Sequence, residues 1–182
     1  MRIISGNARG TKLYTLEGLS TRPTLDRVKE SMFNIIQQDI PEAIVLDLFA
    51  GCGAIGLEMV SRGAKQAVLC DNSKQAIKII EKNIEKTHME KQIQLYNMDY
   101  IDCLEKVKDK KFDLIYIDPP YQTDYIEKAL QKIIEYDIIT NNSKIILETD
   151  DEKRIIQEIS NININIIDQR KYGRATLIFL KK

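Results

Sequence analysis

Apolar runs of strand length alternate with segments whose apolar residues recur at one-turn spacing, and this alternation predicts βαβ units on a mostly parallel sheet. Ala43–Phe49, Gln66–Asp71, Ile93–Asn97, Phe112–Asp118 and Lys144–Glu148 read as strands. Ala54–Arg62, Ser73–Thr87, Tyr100–Val107, Tyr125–Tyr136 and Asp151–Ile159 read as the helices between them; in the second, Ala76, Ile80 and Ile84 share one face. Near the end the period shortens. Ile162, Ile164 and Ile166 alternate with polar residues, Tyr172-Gly173-Arg174 offers a turn, and Ala175–Leu180 supplies a last strand, so the chain is expected to close on an antiparallel hairpin.

The residues ahead of the first strand belong to no βαβ unit. Met1–Gly18 contains Gly6, Gly10 and Gly18 between β-prone pieces and reads as a small hairpin. Thr24–Gln38 then carries Leu25, Val28, Met32, Ile35 and Ile36 along one helical face, with Arg22-Pro23 leading into Thr24 as N-cap. No internal repeat or long linker interrupts the chain. The expectation is one domain over residues 1–182, with an appendage at 1–40 packed on a core at 41–182.

Composition narrows the class. The 182 residues are 43% hydrophobic and 30% charged, with 27 Lys and Arg balancing 27 Asp and Glu, which excludes a disordered chain. Cys52, Cys70 and Cys103 are scattered, odd in number and without a C-x-x-C pair, against both a disulfide framework and a zinc site. The start, Met1-Arg2-Ile3-Ile4-Ser5-Gly6, lacks an apolar export core, and no apolar stretch reaches the ~20 residues a bilayer span takes. A cytoplasmic protein is expected, with no metal and no membrane partner.

Asp47-Leu48-Phe49-Ala50-Gly51-Cys52-Gly53-Ala54-Ile55-Gly56 ends the first strand and opens the first helix after it. This is a G-x-G-x-x-G in its required context: glycines turn the backbone tightly and let it approach a ligand, and the helix start offers free N–H groups. Asp71, ending the second strand, is placed to accept hydrogen bonds from a ribose, and Asp99, after the third, is placed to reach an adenine amine, to cap the next helix, or to do both. With Phe49 in the loop and Asn72 beside Asp71, these residues form a candidate site for an adenosine-containing cofactor. Asp47 discriminates among such cofactors. It would repel a pyrophosphate, whereas S-adenosylmethionine brings an ammonium and a sulfonium that a carboxylate complements.

Asp118-Pro119-Pro120-Tyr121 follows the apolar strand Leu114-Ile115-Tyr116-Ile117. Two prolines fix φ and hold the carboxylate and its neighbouring carbonyls toward the crevice beyond the strand ends. An exocyclic amine suits this arrangement. Its nitrogen is conjugated with a ring and weakly nucleophilic, and accepting its hydrogens at Asp118 and the Pro119 carbonyl localises the lone pair toward a methyl donor. Tyr121 is positioned to stack on the base.

Taken together, the chain resembles the RsmD family of bacterial 16S ribosomal RNA guanine-N2 methyltransferases. The N-terminal pieces Met1–Gly6, Ala8–Gly10, Arg22–Thr24 and Asp26–Ile35 carry the narrowing part of the likeness; the loop at 47–56, the tetrapeptide at 118–121 and Tyr172-Gly173 match as well. The resemblance implies a Rossmann-like class I methyltransferase that moves a methyl group from S-adenosylmethionine to the 2-amino group of one guanine of 16S rRNA in the small ribosomal subunit; separately, a monomer is expected. Cys52 stands where Ser or Thr is expected, and Asp71 where Glu is common. Residues 1–30 hold Arg2, Arg9, Lys12, Arg22, Arg27 and Lys29 against Glu17, Asp26 and Glu30 in a neutral chain, so Arg9, Lys12, Arg22 and Arg27 are the candidate RNA contacts.

Three other readings stay open on the residues alone. The tetrapeptide would serve any conjugated amine, on adenine or cytosine in DNA or RNA, or on protein. The glycine loop would serve an NAD-binding oxidoreductase, although Asp47 opposes it and no catalytic His, Lys or Tyr-x-x-x-Lys is evident. A non-catalytic RNA-binding factor would have no use for Asp118–Tyr121. His88, the single histidine, reads as a solvated helix end, Cys52 as a small loop residue, Cys70 and Cys103 as core, and Lys106–Lys111 as a solvated turn.

Overall fold

The strands that were legible as apolar runs form one sheet. In the computed structural model, which describes residues 1–16, 23–120 and 123–182, β1 (Ile44–Asp47), β2 (Gln66–Asp71), β3 (Ile93–Asn97), β4 (Phe112–Ile117) and β5 (Ile139–Thr149) run parallel. β6 (Asn165–Tyr172) and β7 (Ala175–Lys181) pair antiparallel with each other, and β7 lies antiparallel on β5. The order is β3-β2-β1-β4-β5-β7-β6. Strand order reverses between β1 and β4, and that switch leaves a crevice beyond their carboxyl ends.

Both faces of the sheet are covered, which is why the central strands read as continuous rather than alternating apolar runs. Successive strand residues point to opposite faces. Val45, Leu69, Leu114, Tyr116 and Ile146 face a layer made by α1 (Pro23–Ile36), α2 (Ala54–Ser61) and α3 (Lys74–Thr87). Leu46, Val68, Ile115, Ile117 and Leu147 face α4 (Tyr100–Lys106), α5 (Tyr125–Glu135) and α6 (Glu152–Ile159). Cys70 and Cys103 belong to this second core, as expected. Among the described residues no helix is long and apolar enough to cross a membrane, and no group of three His, Cys, Asp or Glu is disposed to hold a metal ion.

The N-terminal segment is built into the first core. Its small hairpin is present, closed by a bridge between Arg2 and Lys12 and by the Ile3 N–H to Thr11 and Leu13 N–H to Met1 hydrogen bonds, each 3.0 Å. The Gly6 turn, at φ 83°, lies so close to α2 that a Cβ there would stand 1.7 Å from the Ser61 carbonyl oxygen. Ser61 Oγ donates to the Ser5 carbonyl and accepts the Ala8 N–H. Asn83 of α3 pairs with the Tyr14 backbone in both directions and also donates to the Cys52 carbonyl. Ile3, Phe33 and Ile36 are fully buried with the residues of α2 and α3.

Several boundaries differ from the sequence reading. α1 begins at Pro23, so proline takes the first helical position, where its missing N–H costs nothing, and Thr24 lies inside the first turn instead of capping it. β5 starts earlier than Lys144, because Phe112 pairs with Ile139 and Leu114 with Lys144, leaving 140–143 as a bulge that Ser143 pins by donating to the Phe112 carbonyl. Ile162 and Ile164 close the turn after α6, and β6 begins only at Asn165. The final turn is as expected: Tyr172 pairs with Ala175 across Gly173-Arg174, with Gly173 at φ 63°. The Tyr172 hydroxyl hydrogen-bonds Ser31 Oγ, tying this hairpin to α1.

Phe33→Ala removes a fully buried ring shared by α1 and the α2–α3 layer. The expected loss is ~3–5 kcal/mol of unfolding free energy in urea melts; a loss under ~1 kcal/mol would mean that α1 only rests on the surface.

Candidate active site

The turn from β1 into α2 is made by glycines in left-handed conformations. Gly51 has φ 58° and Gly53 φ 78°, and Gly53 N–H donates to the Ala50 carbonyl at 2.7 Å to close the turn. Gly56 answers a packing need instead: a Cβ there would lie 2.1 Å from Leu69 Cδ2, so a larger residue would force the Leu69 side chain to move before α2 could settle on β2. Asp71 does not wait for a ribose with a free carboxylate. Its Oδ2 accepts the Gly51 N–H and its Oδ1 the Ser73 N–H, each at 2.8 Å, so it splints the glycine turn to the β2–α3 connection. Any further hydrogen bond would use the lone pairs those contacts leave. Asp99 caps α4 through the Ile101 N–H, and Asn72 is exposed.

A cavity of about 180 Å³ opens beside this turn. Asp47, Phe49, Gly51 and Asp118 line it, together with Lys29, Tyr116 and Glu148, which the sequence reading did not single out for the site. Met1, Val28 and Met32 of the N-terminal segment form one wall. Gly53, Gly56, Asp71, Asn72 and Asp99 stand outside its lining, as do Arg9, Lys12 and Arg27, which are exposed. Pro119 is buried and Pro120 exposed, its carbonyl accepting Thr123 Oγ1 at 2.9 Å. Tyr121 and Arg22 lie outside the described residues. Phe49 stacks with Tyr125 at 6.1 Å and tilts against Tyr100 at 5.1 Å, an aromatic wall that distant sequence positions gave no reason to group.

Lys29 corrects the charge count. It is 5% exposed and pairs at 3.1 Å with Glu58 of α2, so it contributes nothing to a basic surface. Glu58 is wholly buried and also accepts the Ile4 N–H at 2.7 Å, the Ser5 N–H at 2.9 Å and Arg62 Nε at 2.8 Å. His88 ends α3 in an exposed left-handed cap. The turn after α4 is solvated and ion-paired, with Lys108 on Glu105 and Lys111 on Asp137.

The cavity is acidic: Asp47, Asp118 and Glu148 line it, and Lys29, the lysine in its lining, is paired with Glu58. Asp47 is 1% exposed; Oδ2 accepts the Gly56 N–H at 3.3 Å, the Phe49 N–H also lies close enough to favour the carboxylate, and Oδ1 has no hydrogen-bond partner within 3.5 Å among the described residues. Burial first, then the Asp71 charge, pushes its pKa up to about 7. Asp118 opens on the cavity but is surrounded by protein, and burial followed by the charges of Glu148 and Asp47 raises it well above the usual carboxylate range. Glu148 is raised by burial despite the hydrogen bond from Tyr116. Three carboxyls in one small space favour a cationic occupant, because each positive charge relieves all of them at once. An orphaned carboxylate oxygen beside the glycine turn is hostile to a pyrophosphate and suited to an ammonium.

Such a turn, on a sheet of this order, with an acidic strand tip in place of a phosphate cradle, defines a Rossmann-like S-adenosylmethionine-dependent methyltransferase. The protein family described as conserved hypothetical protein 95 matches residues 1–181, and the chain belongs to it, the RsmD family of rRNA methyltransferases. Ribosomal RNA small subunit methyltransferase D of Haemophilus influenzae is 34% identical over 86% of this chain and 82% of its own. YlbH of Bacillus subtilis is 33% identical over 100% of this chain and 99% of its own. The solved structure of yhhF from Escherichia coli superposes with a TM-score of 0.86 at 28% identity, covering 100% of this chain and 97% of that one.

Asp47→Asn is expected to exchange stability for cofactor affinity. With a folded pKa near 7 against an ordinary 3.8, the cost of the buried charge is absent below pH 3.8, grows between those values and is complete above 7. At pH 8 the variant should therefore gain ~2–4 kcal/mol in denaturant melts, the gain shrinking as pH falls, while calorimetry shows weaker S-adenosylmethionine binding.

Proposed function

We propose that the protein transfers a methyl group from S-adenosylmethionine to the 2-amino group of one guanine in the rRNA of the small ribosomal subunit. The observation that carries this reading is the shared cavity of Asp47 and Asp118, at the tips of the two strands where the sheet order reverses. When bound, the cofactor supplies an electrophilic methyl group on a sulfonium. The orphaned Oδ1 of Asp47 receives the cofactor's ammonium, the glycine turn brings backbone close to it, and Phe49 offers its ring to the adenosine half. Asp118 and the Pro119 carbonyl hold the two hydrogens of the guanine amine, so that the nitrogen lone pair turns away from the ring. Much of the rate then comes from fixed attack geometry. Asp118 is also the proton acceptor. Its raised pKa equips it to take the proton that the methylated amine releases.

The guanine must leave any stack to enter so small a cavity, so an unpaired or flipped nucleotide is the substrate. Arg9, Lys12 and Arg27, all exposed on the N-terminal segment, are assigned to phosphates, and Arg22 with them. Tyr14 extends this surface, half exposed with the Lys86 ammonium 4.4 Å from its ring centre. The chain acts as a monomer, and Tyr121 stacks on the target base.

Labelled S-adenosylmethionine, incubated with small subunits and with free rRNA from cells lacking the gene, tests the reading. Label in N2-methylguanosine is expected; label on another base would overturn the guanine assignment. Asp118→Ala should lower turnover by about 10²–10³-fold while the cofactor dissociation constant changes little; loss of both together would make Asp118 structural. Replacing Arg9 and Lys12 by Ala should weaken RNA binding and flatten its salt dependence, the slope falling by about one for each phosphate that is no longer neutralised. An unchanged salt slope would remove both residues from the interface.

A further inference from the structure

The cavity contains a carboxylate that methyl transfer to an amine does not require. Ile117 and Leu147 are partners across β4 and β5, so Asp118 and Glu148 follow them on neighbouring strands, and both line the cavity. Glu148 is 7% exposed. Its Oε2 accepts the Tyr116 hydroxyl at 2.6 Å, and no donor among the described residues reaches Oε1. The Glu148 charge is felt at Asp118, where it contributes to the raised pKa. A buried carboxylate fixed on one oxygen by a tyrosine and open on the other, beside the amine-binding carboxylate, is an acceptor awaiting a second donor.

The nucleobases differ at that position. The exocyclic amines of guanine, adenine and cytosine are alike to Asp118, but the ring atom next to each amine is not. Guanine offers N1–H, a donor, on one side of its amine (N3 on the other side is bare), whereas the ring nitrogen beside the amine of adenine or cytosine is bare, with a lone pair. A carboxylate accepts from the first and repels the others, and a buried site built around one hydrogen bond discriminates strongly against bases that cannot make it. We propose that Glu148, oriented by Tyr116, selects guanine: its Oε1 accepts the ring N1–H while Asp118 accepts a hydrogen of the 2-amino group. This inference rests on the guanine-N2 reading above. It explains why the C-terminal end of β5 carries a buried charged residue after the apolar run Ile145–Leu147.

The test replaces the mapped target guanine by 2-aminopurine, which keeps the 2-amino group but presents an acceptor at N1. The base is introduced by ligation into free rRNA or a rebuilt small subunit, whichever form accepts label. Wild-type protein should prefer guanine by at least about tenfold in kcat/KM. Glu148→Gln retains an acceptor for Tyr116 and supplies an amide N–H for N1. It should lower the guanine rate and bring the ratio of the two bases close to one, whatever it does to cofactor affinity, which is common to both substrates. Tyr116→Phe, which removes only the orienting hydroxyl, should narrow the ratio in the same direction by a smaller factor, and it provides the readout if Glu148→Gln fails to fold. A ratio unmoved in the variants, including an equal fall on both bases, overturns the assignment of Glu148. If wild-type protein places no label in N2-methylguanosine, the guanine reading fails first and this inference with it.

Discussion

A single buried carboxylate holds the catalytic half of the molecule together. Glu58 sits inside α2 with no solvent access, and four donors converge on it: the backbone N–H groups of Ile4 and Ser5, Arg62 from the end of its own helix and Lys29 from α1. Removing one partner of such a buried ion pair typically costs ~3–5 kcal/mol, because the rest are left as uncompensated charges or unmet hydrogen bonds. The geometric consequence matters more than the energy. α2 begins at the glycine turn, so whatever Glu58 fixes to α2 is fixed relative to the cofactor side of the cavity. Met1, Val28 and Met32 become a wall of the site through this anchor, and Arg62 reinforces it by lying over the Phe33 ring at 4.5 Å.

Asn83 works toward the same end from the other side. Its amide group ties the Tyr14 backbone and the Cys52 carbonyl to α3, so the N-terminal hairpin and the glycine loop share one polar post. The segment assigned to RNA and the loop assigned to the cofactor are thereby held in one rigid frame. That coupling suits an enzyme that must bring a large nucleic acid and a small donor to the same few atoms. Around those atoms the chain accepts a cost, keeping Asp47 and Glu148 buried beside a half-buried Asp118, all three with raised proton affinities. Carboxylates desolvated in this way lower stability above their raised pKa values, and such local conflict is characteristic of functional sites.

Much of the architecture was legible because its signals are local. The apolar runs at 44–47, 66–71 and 112–117 announce strands buried on both faces, and Gly51 and Gly53 announce a turn that other residues would strain. Asp118 could be found because the prolines behind it mark a rigid strand end. Glu58, Asn83 and Glu148 carried no such mark. Each is one polar residue in an amphipathic or apolar stretch, and the partners that give it a role arrive from far along the chain or from a neighbouring strand. Lys29 was misjudged for the same reason: counted along the chain it is a surface cation, but in space it belongs to Glu58. The β5 bulge escaped notice because Thr140–Ser143 is polar and ordinary in sequence, and only pairing with Phe112 makes it part of the strand.

The sequence by itself determined the class of fold, the position of the glycine turn, the acidic strand tip at Asp47 and the rigid tetrapeptide starting at Asp118. These follow from periodicity, from glycine and proline stereochemistry and from the chemistry of neighbouring residues, all of which act over a few positions. The tertiary structure decided which carboxylates share a cavity, which lysine is neutralised, that Asp71 braces the loop, and that the N-terminal segment walls the site. Those outcomes depend on contacts between residues far apart in the chain, where burial and the convergence of donors, not residue type, set the charge and the role of each group.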